Sequence, residues 1–218
     1  MLRHKMLRSV RKGELSYSYL STQVNTNNLI KYNFTGVSLG DTSPGRRIVL
    51  MVLAVSNFIG QSISTLTLGG VALTRVAEGN GPYDNKNASI WIVENDTDST
   101  SNIAISFSGS GTGTVIISVY AVHGLRSNTP ADTGAGNFGD PSSCQVDAYK
   151  DGVLIGGAWA LTTQACSWTG LTADYNTTQE GAARFSTASH AVTANESGRT
   201  VTADISNNIA MCVASWKP

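Results

Sequence analysis

Ile48 to Val55 is an unbroken run of eight apolar residues, closed by Ser43-Pro44-Gly45 on one side and Ser56-Asn57 on the other. Eight residues are too few for a typical buried helix and far short of the roughly 20 that a membrane span needs. A run of this length with no polar position reads as a central strand covered on both faces. Such a strand needs others beside it, and period-2 patterns recur along the chain. Ser64–Thr74 reads as two strands closed on Gly69-Gly70, a dipeptide that supplies the positive φ angles of a two-residue hairpin. Ser89–Val93, Asn102–Phe107 and Thr114–His123 follow, with Ile103, Ile105 and Phe107 on one face, then Val115, Ile117, Val119 and Ala121 on another. Short strands at this spacing predict a sandwich or barrel.

Composition points the same way. Charged residues are 14% of the 218 positions, against about 25% in an ordinary soluble domain, while Ser and Thr number 48. Hydroxyl polarity suits strand surfaces better than helices. The 5 prolines, Pro44, Pro82, Pro130, Pro141 and Pro218, all fall outside the apolar runs, as pairing in sheets requires.

Residues 124–146 interrupt the rhythm with Gly, Ser, Asn, Pro and Asp, and a similar strand pattern resumes after them: Gly152–Leu161, Ala165–Leu171, Ala182–Ala191, Arg199–Ile205 and Ile209–Trp216. The interruption reads either as a linker between two domains or as a long crossover within one sandwich. The crossover is preferred, because neither half shows enough strands to bury a core of its own. The expected organisation is a basic extended arm over residues 1–28, then a single β-sandwich over 29–218 with a crossover loop near 124–146.

The arm is set apart by charge. Arg3, Lys5, Arg8, Arg11 and Lys12 place five of the 15 basic residues in the first twelve positions, although the whole chain has net charge +0. No apolar segment of signal-peptide length follows them, and no membrane partner is expected. Ser16-Tyr17-Ser18-Tyr19 then alternates, and Tyr17 and Tyr19 are expected to add as a strand to a neighbour's exposed edge. Met-Leu-Arg at both Met1 and Met6 gives two candidate starts. Nucleic acid is not the expected partner, since the basic stretch has no interleaved aromatic and the rest of the chain is acidic.

Apparent catalytic motifs dissolve on context. Gly36-Val37-Ser38-Leu39-Gly40 has the spacing of a nucleophile elbow, but that motif needs a strand, a turn and a helix. Gly109-Ser110-Gly111-Thr112-Gly113 precedes a strand, not the helix N-terminus that would hold phosphate. Glu94, Asp96 and Asp98 alternate like cation ligands yet lack the glycine and distal glutamate of a calcium loop. No catalytic residue, cofactor or metal is expected. Of Trp91, Trp159, Trp168 and Trp216, three lie in apolar runs; Trp168, with Tyr175, is the candidate for a ligand-facing aromatic pair. Cys212 shares a strand face with Ala210, Ala214 and Trp216 and reads as a buried free thiol. Cys144 and Cys166 are the candidates for a disulfide, within or between subunits.

One resemblance spans most of the chain. Phe34-Thr35-Gly36-Val37-Ser38-Leu39-Gly40, Arg46-Arg47-Ile48-Val49-Leu50, Leu68-Gly69-Gly70-Val71-Ala72, Trp91-Ile92-Val93, Val115 through Val122, and Ser167-Trp168-Thr169-Gly170-Leu171-Thr172 with Asp174-Tyr175 occur in this order. Residues 30–216 thereby resemble tailed-bacteriophage structural proteins, the minor tail, fibre, collar or head-surface components. The resemblance implies an all-β, antiparallel, jelly-roll-like β-sandwich that is not an enzyme. It implies a virion component, made in the host cytoplasm, whose partners are other virion proteins and copies of itself. The alternative expectation is a module that binds carbohydrate or the host surface, with host polysaccharide as ligand.

Overall fold

The computed structural model describes residues 15–55, 62–80, 86–109, 113–136, 139–179, 183–207 and 209–218. They form strands and no helix, so no helix there is long and apolar enough to cross a membrane. The first half contributes β1 (Ser16–Asn25), β2 (Lys31–Ser38), β3 (Arg47–Val55), β4 (Ile63–Leu68), β5 (Val71–Ala72), β6 (Thr74–Asn80), β7 (Lys86–Glu94), β8 (Thr100–Phe107) and β9 (Val115–His123). The second contributes β10 (Asp132–Ala135), β11 (Ser142–Ala148), β12 (Val153–Ala160), β13 (Ser167–Thr169), β14 (Thr172–Gln179), β15 (Ala183–Ala191), β16 (Glu196–Asp204) and β17 (Ala210–Trp216).

All strand pairs are antiparallel, and they assemble into four sheets. The first half makes an inner sheet of order β1-β9-β3-β7-β6 and an outer sheet of order β2-β8-β4-β5; the second makes an inner sheet β10-β17-β12-β15-β14 and an outer sheet β11-β16-β13. Setting β1 to β4 against β10 to β13 and β6 to β9 against β14 to β17 makes the orders identical, with β5 alone unmatched. One strand order therefore occurs twice in the chain.

The two units stack through their inner sheets, giving four layers and three cores. Strict alternation along β3 shows how. Ile48, Leu50 and Val52 face the outer sheet of the first unit, while Val49, Met51 and Leu53 face the second unit. In β17, Cys212, Ala214 and Trp216 face the first unit, and Met211 and Val213 face their own outer sheet with Leu154 of β12 and Val201 of β16. The apolar run at Ile48 is thus covered on both sides, as its composition requires.

Two expectations are corrected here. The single sandwich over 29–218 is instead two sandwiches, each with its own core, because the segment 124–146 is not a bare crossover but contains β10 and most of β11. Nor do the described residues 15–28 of the expected arm stand apart from the sheets; residues 1–14 lie outside the described residues. Tyr17 and Tyr19 lie opposite Val122 and Tyr120 of the same chain, so the alternating Ser-Tyr pattern is an ordinary half-buried strand. The glycine hairpin stands as read: Leu68 lies opposite Val71, with Gly69 at φ 58° and Gly70 at φ 85°.

Candidate assembly interface

The inner sheets meet as a wedge. On one side they touch backbone to backbone: a Cβ built on Gly79 of β6 would lie 1.9 Å from the carbonyl oxygen of Met211 in β17. Ala77, Ala88, Ala210 and Cys212 fill the rest of that side with small side chains. Toward β1 and β14 the fillers become large. Trp159 and Phe185 stack with ring centroids 5.6 Å apart, and Tyr19 tilts against Tyr120 at the same separation.

Polar groups hold the wide side together. Tyr19 Oη lies 2.8 Å from Thr22 Oγ1, which lies 2.6 Å from Ser118 Oγ, and Thr187 Oγ1 of the second unit donates to Ser118 Oγ at 3.0 Å. Tyr120 Oη donates to Asp174 Oδ2 at 2.9 Å. Burial pushes the Tyr120 hydroxyl well above its ordinary pKa, with the Asp174 charge adding to the shift. Burial likewise raises Asp174, against the opposing hydrogen bonds from Ser189 and Tyr120. Buried hydroxyls cost free energy unless paired, and here each unit supplies partners for the other.

The wide side also carries two sheet edges. Among the described residues β1 pairs as a strand only with β9, and β14 only with β15. β1 is ten residues long, Ser-Tyr-Ser-Tyr-Leu-Ser-Thr-Gln-Val-Asn, with no charge and no proline. Strands at exposed edges are usually blunted by shortness, lysine or proline; of the usual devices β1 has one bulge, between Tyr19 and Ser21. Its far end leads to an exposed apolar group, Val24, Leu29 and Ile30, at 38%, 41% and 46% exposure.

Of the residues singled out from the sequence, Tyr17, Tyr19 and Tyr175 converge, all half-buried against the core between the units. Arg3, Lys5, Arg8, Arg11 and Lys12 lie outside the described residues. Trp168 and Tyr175 do not form one stacking surface. Trp168 packs on the core beneath the second outer sheet, its indole N–H donating to Ser186 Oγ at 2.8 Å, whereas Tyr175 faces the first unit across the same inner sheet.

The suggested Cys144–Cys166 disulfide is corrected as a bond within one chain. Cys144 lies opposite Val201 on one side of β16, and Cys166 precedes Ser167, which lies opposite Asp204 on the other. Two strand spacings, about 9–10 Å, part them before any offset along the strand, and a disulfide needs Cα atoms within about 7 Å. All three cysteines are free. Burial pushes the Cys144 thiol up to about 11 and the Cys166 thiol to about 12, and holds the fully buried Cys212 thiol well above its ordinary value.

The acidic loop after β7 has a different occupant from a metal. Arg46, fully buried, donates to the carbonyl oxygens of Leu39, Gly40, Asp41, Asn95 and Asp98 and to Asn95 Oδ1. Its guanidinium ties the loop before β3 to the loop after β7, with Asp98, Asp96 and Asp41 balancing its charge. Glu94 meanwhile pairs with Arg47 at 3.0 Å. Among the described residues no cluster of His, Cys, Asp or Glu has the makings of a metal site. Neither the Arg46 clamp nor the Thr22, Ser118 and Thr187 ladder has a local sequence signal, since Arg46 reaches Asn95 and Asp98 across 49 and 52 positions and the ladder joins residues 69 and 96 apart. Comparison with protein-family models, curated proteins and solved structures finds no match.

Proposed function

We propose that this chain is a non-enzymatic structural subunit of a bacteriophage particle, a tail, fibre, collar or head-surface component that works by packing against neighbouring subunits. The observation that carries the reading is that, among the described residues, β1 and β14 each end a sheet with no strand paired on the outer side, both on one side of a stacked double sandwich. Backbone groups left open in a long uncharged strand are a ready template for another chain. The resemblance of residues 30–216 to phage structural proteins supplies the setting. The test is location: antibodies against this chain should label purified particles in the electron microscope. Purified particles that lack the chain by mass spectrometry would overturn the reading.

A further inference from the structure

The geometry points to a second copy of this chain as the partner of β1, the two strands pairing antiparallel about a twofold axis. The inference rests on the packing reading above and names the partner.

The internal repeat supplies the first argument. β10 occupies in the second unit the place that β1 holds in the first, at the end of the inner sheet. β10 is four residues long and packs against β6 and β11, with Asp147 N–H donating to Asp132 Oδ2 at 2.7 Å to close that margin. The same position is thus shortened and covered in one unit but ten residues long in the other, where no strand among the described residues pairs on its outer side. Shortening is how an edge is kept from pairing; β1 lacks it.

Charge supplies the second argument. Antiparallel self-pairing sets each residue against one from its own sequence, so any charge at the centre of the strand would meet its like. β1 has none. A twofold arrangement satisfies both copies with one surface patch, the commonest way for identical chains to associate.

The full chain in solution should sediment as a dimer at low salt, with β1 amides protected from hydrogen exchange in the dimer and exposed on dilution. Ser18→Lys, at an exposed position of β1, should weaken association by roughly tenfold by placing added charge on the edge. Gln23→Lys, scored only if its circular dichroism matches the parent, should do the same, and Thr172→Lys on the β14 edge should not. A chain that stays monomeric at every concentration, or a dimer indifferent to Ser18→Lys and Gln23→Lys, would overturn the inference. A dimer of this kind in a protein absent from particles would sink the phage reading and leave the pairing standing.

Discussion

Tyr120 and Asp174 stand 54 positions apart in sequence, in different sandwiches, and meet through one hydrogen bond of 2.9 Å inside the molecule. Tyr120→Phe removes one of the two side-chain donors, the other being Ser189, from a half-buried carboxylate. The expected loss is about 1–2 kcal/mol at neutral pH, read by urea denaturation; no loss would mean that the carboxylate is served from elsewhere.

Asp174 also sets a pH dependence. Its pKa is raised from 3.8 in the folded chain, chiefly by burial. A raised carboxyl stabilises fully below its unfolded pKa, and that contribution disappears as pH rises through the folded value. Asp174→Asn should therefore narrow its stability deficit, or turn it to a gain, on going from about pH 4 to neutrality. A constant difference between the two proteins across that window would contradict the burial of the charge.

His123 works in the opposite direction. Burial lowers its pKa below 6.5, Arg46 lowers it further and Asp41 opposes them, while Ser43 Oγ lies 2.7 Å from its Nδ1. A depressed imidazole lends stability above its unfolded pKa that is lost as pH falls through the folded one. His123→Gln should blunt the loss of stability just below pH 6.5, with His190, also lowered by burial, accounting for part of what remains. Proton NMR should find the His123 titration below that of a free histidine.

Arg46→Met would leave five backbone carbonyl acceptors without their donor, at a cost of about 3–5 kcal/mol. Arg46→Lys should rescue little, because an ammonium cannot reach both loops in the plane of a guanidinium. Chemical denaturation of both variants checks this; rescue by lysine would show that charge alone matters.

Gly79→Ala and Gly36→Ala separate two uses of glycine. The first drives a methyl into the Met211 carbonyl and should cost roughly 2–4 kcal/mol as the units part. The second meets nothing within 4 Å at φ 63° and should cost only about 1 kcal/mol of backbone strain. Equal losses in thermal unfolding would mean that the narrow side of the wedge yields freely.

The apolar runs at Ile48–Val55 and Ile209–Trp216 were legible as buried strands, and the face shared by Cys212, Ala214 and Trp216 was correct. A strand covered on both faces cannot belong to a two-layer sandwich with one side in water, so those runs already required a further layer. β10, Asp-Thr-Gly-Ala, could not be read, since nothing in it is apolar enough to mark a strand. β1 was recognisable as a strand, but alternation specifies a buried face and never the identity of the neighbour. The wedge escaped entirely: the small residues of its narrow side and the tyrosines of its wide side come from distant stretches that only the fold aligns.

The stacking order has a consequence during synthesis. A chain emerging from the ribosome completes β9, and with it the first sandwich, before the second exists. Until β12 and β17 arrive, Val49, Met51, Leu53, Ile90, Ile92 and Ile116 have no cover from the second unit. The nascent chain therefore passes through a stage in which a finished domain displays a broad greasy wall, ready to adhere to the same wall on a sister chain from the same message. Fusing both units into one polypeptide keeps the proper cover tethered close by, so its arrival competes with that encounter at high effective concentration.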